Sequence, residues 1–467
     1  MSWFDADGYW LGRLLFERIL AVVYVLGFVG AVNQFRPLLG SRGLLPIPAW
    51  LARVPFRRSP SLFHLHYSDR FFAGMCWFGA AISAALALGL ANAVPLWAAM
   101  LWWAAPWALY VSIVNVGQLW YGFGWESLLC EAGCYAIFLG NDRTAPPLLV
   151  LLAVRWLLFR VEFGAGLIKM RGDACWRNLT CLYYHHETQP MPNPASWFFH
   201  RLPRLAHRTE VAANHVTQLG VPFFLFAPQP VASIAAAVMI VTQLWLILSG
   251  NFAWLNWLTV AAATSAIADD AWHHVLPGSA PTLAPAPAWY RVVVVAFSVL
   301  VLILSFWPAR NLLARRQLMN ASFNRLHLVN AYGAFGSITR IRHEVVLEGL
   351  ADGTWREYEF KGKPGTPGRL PRQFAPYHLR LDWLMWFVAL DPRRGDRWLV
   401  DVLERLLCND RDLLKLLRHN PFPNTPPTAV RALLYRYRFT TWAELRATGD
   451  WWHRDCLGAL IPPRRRG

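Results

Sequence analysis

Arg155, Glu162 and Lys169 recur every seventh residue inside one apolar run, RWLLFRVEFGAGLIKM. Seven residues are close to two helical turns, so a helix carries the three charges as one stripe. Charge at membrane depth is costly unless it is paired or wetted, and the stripe must therefore face protein or a water-filled cavity. Two uses follow. As a structural seam, Arg155 and Glu162 neutralise each other or near neighbours; as chemistry, a buried lysine serves as a base. The run ends at Arg171-Gly172-Asp173, and the chain enters a polar, aromatic loop containing His185, His186, Glu187, Thr188, Gln189, Pro190 and Asn193. Histidines beside a glutamate invite a metal, but zinc wants three or four ligands closing on one point, and adjacent histidines diverge unless the loop twists. His200, His207 and His215 lie further along. The expectation is no metal centre, with these side chains satisfying loop backbone groups and the stripe.

Other catalytic sets are missing. The chain has no G-x-S-x-G, and Gly333-Ala334-Phe335-Gly336 lacks the lysine and spacing of a phosphate cradle. Arg380-Leu381-Asp382-Trp383 reads as a helix start, Asp382 opening the helix and Arg380 pairing with it or with a neighbouring loop. Glu126 and Glu131 sit about 140° apart on a helix, too divergent for an acid/base pair, and Glu126 suits the helix N-terminus. No catalytic residue and no cofactor is assigned.

These groups must be positioned by a membrane protein. Of 467 residues 55% are hydrophobic and only 16% charged, and several apolar runs are long enough to cross a bilayer as helices. The net charge of +17 is almost all arginine, lysine occurring at Lys169, Lys361, Lys363 and Lys415. It lies mostly in loops and in the C-terminal third, where it reads as topology and headgroup contact, not nucleic-acid binding. The sequence predicts an all-α polytopic membrane helix bundle of about eight to nine spans over 1–308 with a polar loop at 170–211, then a small α+β extramembrane domain over 309–467. Spans are placed near 11–35, 71–90, 94–114, 146–169, 211–226, 231–248, 252–268 and 290–307, beside the helix carrying Glu126 and Glu131. The first is a retained anchor. A Pro/Ala-rich connection, PGSAPTLAPAPA, precedes the last. Counting positive loops puts the C-terminal domain in the cytoplasm.

In that domain the segment from Ser337 to Gly349 alternates, with Ile341, Val345 and Leu347 on one face and Arg340, Arg342 and Glu344 on the other. Asp352-Gly353 is a two-residue hairpin turn returning through Thr354 to Phe360. Helices are expected over 381–390, 397–407, 411–417 and 428–437. Cys130 and Cys134 are apolar packers, whereas Cys175 and Cys181 flank the polar loop and can bridge if it faces an oxidising compartment.

Several blocks, in order, resemble the lipase maturation factor family. They include Gly172-Asp173, Trp176-Arg177, the run from His185 to Pro194 with Trp197, Asn214-His215, Gly250-Asn251, Asn324 to Asn330, Tyr332-Gly333, Lys363-Pro364-Gly365, Arg380 to Trp383, and Asn420 to Pro423. The sequence departs from the pattern at His186 and His343, where an aromatic is expected, at Gln218 in place of an acid, and at His378-Leu379 in place of Gln-Pro. The resemblance implies a multi-pass membrane folding factor needed for secreted lipases to become active. Its partners would be a lipase client and the lipid bilayer, with no nucleic acid. It implies a lumenal C-terminal domain in eukaryotic relatives, against the loop count. The arginine-rich composition suggests a bacterial chain and hence the inner membrane. Alternatives from the stripe are an intramembrane, carboxylase-like enzyme and, behind it, a transporter.

The resemblance gives the loop a client. Prolines at 190, 192 and 194 hold the backbone extended and remove its donors, leaving carbonyls and side chains in a pre-set shape. With His185, Glu187, Thr188, Gln189, Pro190, Asn193 and Trp197, and with Arg380, Asp382 and Trp383, the loop forms a client-contacting face, or else a plug packed over the stripe.

Overall fold

The computed structural model describes residues 3–276, 281–391 and 397–465. Residues 277–280, the start of the Pro/Ala-rich connection, lie outside them. The N-terminal part is helical because its apolar runs leave the backbone no partner but itself. It opens with α1 (Trp10–Leu38), α2 (Asp69–Ala87) and α3 (Leu96–Val116). Ser68 caps α2, its hydroxyl accepting from the Phe71 amide at 3.1 Å. Next come α4 (Gly124–Ala136) and α5 (Leu148–Arg171), which carries the charged stripe. The polar loop contains α6 (Leu182–Thr188) and α7 (Arg204–His215). Then follow α8 (Val231–Ser249), α9 (Leu255–Thr264) and α10 (Ala288–Leu304).

Among the described residues five helices are long and apolar enough to cross a membrane: α1, α2, α3, α8 and α10, the last continuing to Leu313. The expected eight to nine spans are thus not confirmed: α4 has only 13 residues, α5 carries the charged stripe, and two further stretches fall short. The stretch 211–226 does not form one helix: α7 ends at His215, a wide turn runs over Val216–Gly220, and a tight one over Val221–Phe226. Gly220 and Pro222 explain the break, since proline cannot continue the hydrogen-bond ladder of an α-helix. The stretch 252–268 yields only α9, whose 10 residues cover about 15 Å, half a bilayer core. The outermost spans turn bulky apolar side chains outward, as at Val241, Val292 and Leu302.

The C-terminal part is a five-stranded antiparallel sheet in the order β3-β2-β1-β4-β5. Its strands are β1 (Arg342–Ala351), β2 (Thr354–Phe360), β3 (Leu417–His419), β4 (Ala429–Phe439) and β5 (Trp452–Arg465). The Asp352-Gly353 hairpin is as expected, Leu350 facing Trp355 across it. The segment expected as a helix over 428–437 is the central strand β4. It pairs with β1 on one side, Val345 opposite Leu434, and with β5 on the other, Arg438 opposite His453. Two helices, α11 (Arg380–Leu390) and α12 (Arg397–Leu407), pack on the sheet through Met385, Trp398, Val402 and Leu406. One core runs through both parts of the molecule, and the rings of Trp120 and Trp398 meet across the junction at 5.4 Å.

Candidate functional site

Among α5, α7, α8 and α11 lies a cavity of about 1240 Å³. Its wall is largely apolar, with Ala165, Ile168, Leu246, Leu255 and Phe387 among the lining residues. The polar part is one hydrogen-bonded chain. Lys169 Nζ donates to Gln218 Oε1 at 2.8 Å, and Gln218 Nε2 donates to Glu162 Oε2 at 3.2 Å. Gln243 Nε2 donates to the other oxygen of Glu162 at 2.7 Å, and Asn256 Nδ2 donates to Gln243 Oε1 at 2.6 Å. Lys169 Nζ also lies 4.8 Å from the centre of the Trp176 ring. Glu162 and Lys169 are thus joined through a neutral amide. Such a cavity can take an apolar body and hold one polar end with both donors and acceptors.

The stripe does not pair along itself, which corrects the Arg155–Glu162 expectation. Residues seven apart on a helix are about 10.5 Å apart along its axis, beyond ion-pair reach. Arg155 instead donates to the Leu225 carbonyl at 3.2 Å, with its guanidinium 5.0 Å from the Tyr9 ring centre. The ion pairs at depth involve residues with no place in the stripe. Arg160 is paired with Glu131, whose Oε2 also accepts from Asn330 N at 2.9 Å and Tyr332 Oη at 2.7 Å. Arg380 reaches Glu126 and the Trp120 carbonyl, the latter at 2.7 Å, and accounts for Glu126 beyond its place in the first turn of α4. Of the two partners expected for Arg380, Asp382 or a neighbouring loop, it takes the loop, at the Trp120 carbonyl; Asp382 instead accepts from the Gly362 amide at 2.6 Å. Burial lifts the Asp382 carboxyl to about 6, the Gly362 bond and Lys363 opposing the rise.

Of the residues singled out in the sequence, Glu162, Lys169, His185 and Trp383 line this cavity. Burial, with a smaller effect from Lys169, pushes His185 down to about 3, so its ring is neutral. Gln189, Asn193 and Trp197 do not line it; they bind the loop to the rest of the chain. Gln189 Nε2 donates to the Ser249 carbonyl at 3.0 Å, Asn193 Nδ2 to the Leu248 carbonyl at 2.9 Å, and Trp197 Nε1 to the Thr440 carbonyl at 3.0 Å. The Thr188 carbonyl accepts from Trp386 Nε1 at 3.1 Å, and Glu187 Oε2 from the Phe439 amide at 2.7 Å.

The carbonyls around Pro190, which a client-contacting face would present and a packed plug would cover, are consumed inside. Arg342 Nη1 donates to the carbonyls of Glu187 (2.8 Å) and Gln189, and Nη2 to that of Pro190 at 3.1 Å. Arg342 is in turn paired with Glu344, and Glu344 with Lys363 at 2.7 Å. The charged face of β1 is therefore covered by the loop, whereas Ile341, expected on the opposite face, stands just before the strand and is 43% exposed. Arg342 was missed because a charge on an alternating strand ordinarily faces water. Cys175 and Cys181 are bridged. The backbone of 332–336 runs against α5 where Gly164 and Gly172 leave room: a Cβ at Gly172 would come within 2.1 Å of the Gly336 carbonyl oxygen.

Two family profiles match the chain, one described as the lipase maturation factor transmembrane domain over residues 11–274, the other as the lipase maturation factor C-terminal domain over 328–462. The chain is 42% identical to Lipase maturation factor 1 of Bos taurus across 99% of its own length and 90% of the relative's. It is 41% identical to Lipase maturation factor 1 of Homo sapiens (97% and 88%) and 27% identical to Lipase maturation factor 2 of Homo sapiens (97% and 82%). No solved structure matches it. Similarity of this extent, running through the helices, the polar loop and the sheet alike, means that the chain belongs to the lipase maturation factor family.

Proposed function

We propose that this protein is a membrane-embedded maturation factor that brings secreted lipases to their active state. The observation that carries it is the end-to-end similarity to proteins named for that role, at 42% identity over 99% of the chain. The reading is of a folding factor, not an enzyme: Glu162 and Lys169 are held in a chain of neutral amides. In this reading the 1–308 part holds the cavity in the membrane that bounds the secretory route. The 309–467 part and the loop 170–211 lie on its far, oxidising side, as the bridged Cys175 and Cys181 favour. The cavity, floored by Glu162 and Lys169 and walled by His185 and Trp383, receives an apolar segment of the incomplete client. Gln189, Asn193, Trp197, Arg342 and Arg380 hold that wall in place.

The test is deletion of the gene in a cell that secretes a lipase, with lipase amount and lipase activity measured separately. Activity per molecule should fall much further than amount, and the full-length chain should restore it. Equal activity per molecule with and without the chain would overturn the proposal.

A further inference from the structure

The cavity's loop-side edge holds donors that the hydrogen-bond network does not use. His207 and Glu210 stand three residues apart on α7, and so share one face of that helix. His186, on α6, is brought opposite them. One donor atom from each of the three lies within 4.8 Å of the others. His186 is 1% exposed and His207 2% exposed. Among the described residues both ring nitrogens of His186, Nδ1 of His207 and Oε2 of Glu210 have no hydrogen-bond partner. Leaving several buried polar atoms of one cluster unsatisfied is costly, and such a cluster is a standard mark of an ion site.

The surroundings are those of a ligand set. Trp245 Nε1 donates to Glu210 Oε1 at 2.8 Å, which fixes the carboxylate and leaves its second oxygen for the cluster. An outer contact of this kind orients a metal-binding carboxylate. His185 and His186 do diverge, as adjacent residues should: His185 lines the cavity, and His186 meets α7. The convergence comes from a second helix. Two imidazoles exclude the hard cations Ca²⁺ and Mg²⁺, which take oxygen ligands.

We propose that His186, His207 and Glu210 form a binding site for a divalent transition ion of the Zn²⁺ class, with a coordination position left over beside the cavity, which Glu210 also lines. The ion pins α7 to α6, and so fixes one wall of the cavity.

The experiment uses the full chain, purified in detergent without a polyhistidine tag, stripped with chelator and equilibrated with Zn²⁺ alone. Metal content is measured after removal of free ion, and the electronic absorption of the Co²⁺ form is recorded. The result expected is about one ion per chain, with affinity lowered at least about tenfold in Glu210→Gln and in His207→Gln. His215→Asn, on the same helix but outside the cluster, should bind as the parent does. If His207→Gln fails to accumulate, the half-buried Glu210→Gln decides through the Zn²⁺-dependent rise of its thermal midpoint, which should shrink against the parent's. No stoichiometric uptake by the stripped parent would overturn the site, as would uptake by Glu210→Gln and His207→Gln equal to the parent's.

Discussion

Glu131 shows how a single buried charge is accommodated. Both carboxylate oxygens are occupied, by Arg160, Tyr135, Asn330 and Tyr332, and the side chain has no exposure to solvent. Removing one member of a buried pair strands the other and costs about 3–5 kcal/mol. Glu131→Gln should therefore lower the accumulated protein and its thermal midpoint sharply, and Arg160→Met in the same chain should recover part of the loss. Normal accumulation of Glu131→Gln in a membrane-fraction blot would mean that the pair is not structural. Glu162→Gln is a different case, because Glu162 is held by two amides and Arg155 does not depend on it.

At the scale of elements, the polar loop is held by a strand distant from it in sequence. Prolines 190, 192 and 194 deprive the loop of its own donors, and Arg342 on β1 supplies them from outside. A hydrogen bond from a charged donor is worth about 1.5–3 kcal/mol net. Arg342→Gln should hence loosen the loop and speed proteolytic cleavage between 187 and 194. Arg356→Gln, exposed on β2, is the control and should cleave at the parent's rate. Cleavage of Arg342→Gln at that same rate would show that the loop is held by its other contacts alone.

For the whole molecule, contact between loop and sheet bears on sidedness independently of any count of spans. The Trp197–Thr440, Glu187–Phe439 and Arg342–Pro190 bonds hold the loop against the C-terminal domain, and the proposed reading puts both on one side of the membrane. The chain carries its own reporters for which side this is. Cys408 and Cys456 are free and exposed in the C-terminal domain, whereas Cys76, Cys130 and Cys134 are buried. A membrane-impermeant maleimide should label Cys408 and Cys456 in intact cells (or sealed, right-side-in microsomes only after opening), and a cysteine introduced at Arg208 should follow them. Labelling of the three sites only from the cytoplasmic side would refute the extracytoplasmic placement.

Hydropathy alone was enough to find α1, α2, α3, α8 and α10, because an apolar run long enough to cross a bilayer has no other stable conformation in lipid. Local chemistry was likewise enough for the Asp352-Gly353 hairpin, and the ordered blocks from Gly172 to Pro423 were enough for the family. What the sequence left open depended on partners far away in the chain. The 428–437 segment has apolar residues at spacings that fit a helix as well as a strand, and only pairing with β1 and β5 makes it β4. Arg155, Glu162 and Lys169 do share a face, but helix rise keeps them apart, and their partners come from Leu225, Gln218 and Gln243. His186 faces His207 and Glu210 only because α7 folds back onto α6. Periodicity fixes which side chains share a face of their own element. Which groups then meet across that face is a long-range contact, and the tertiary structure alone supplies it.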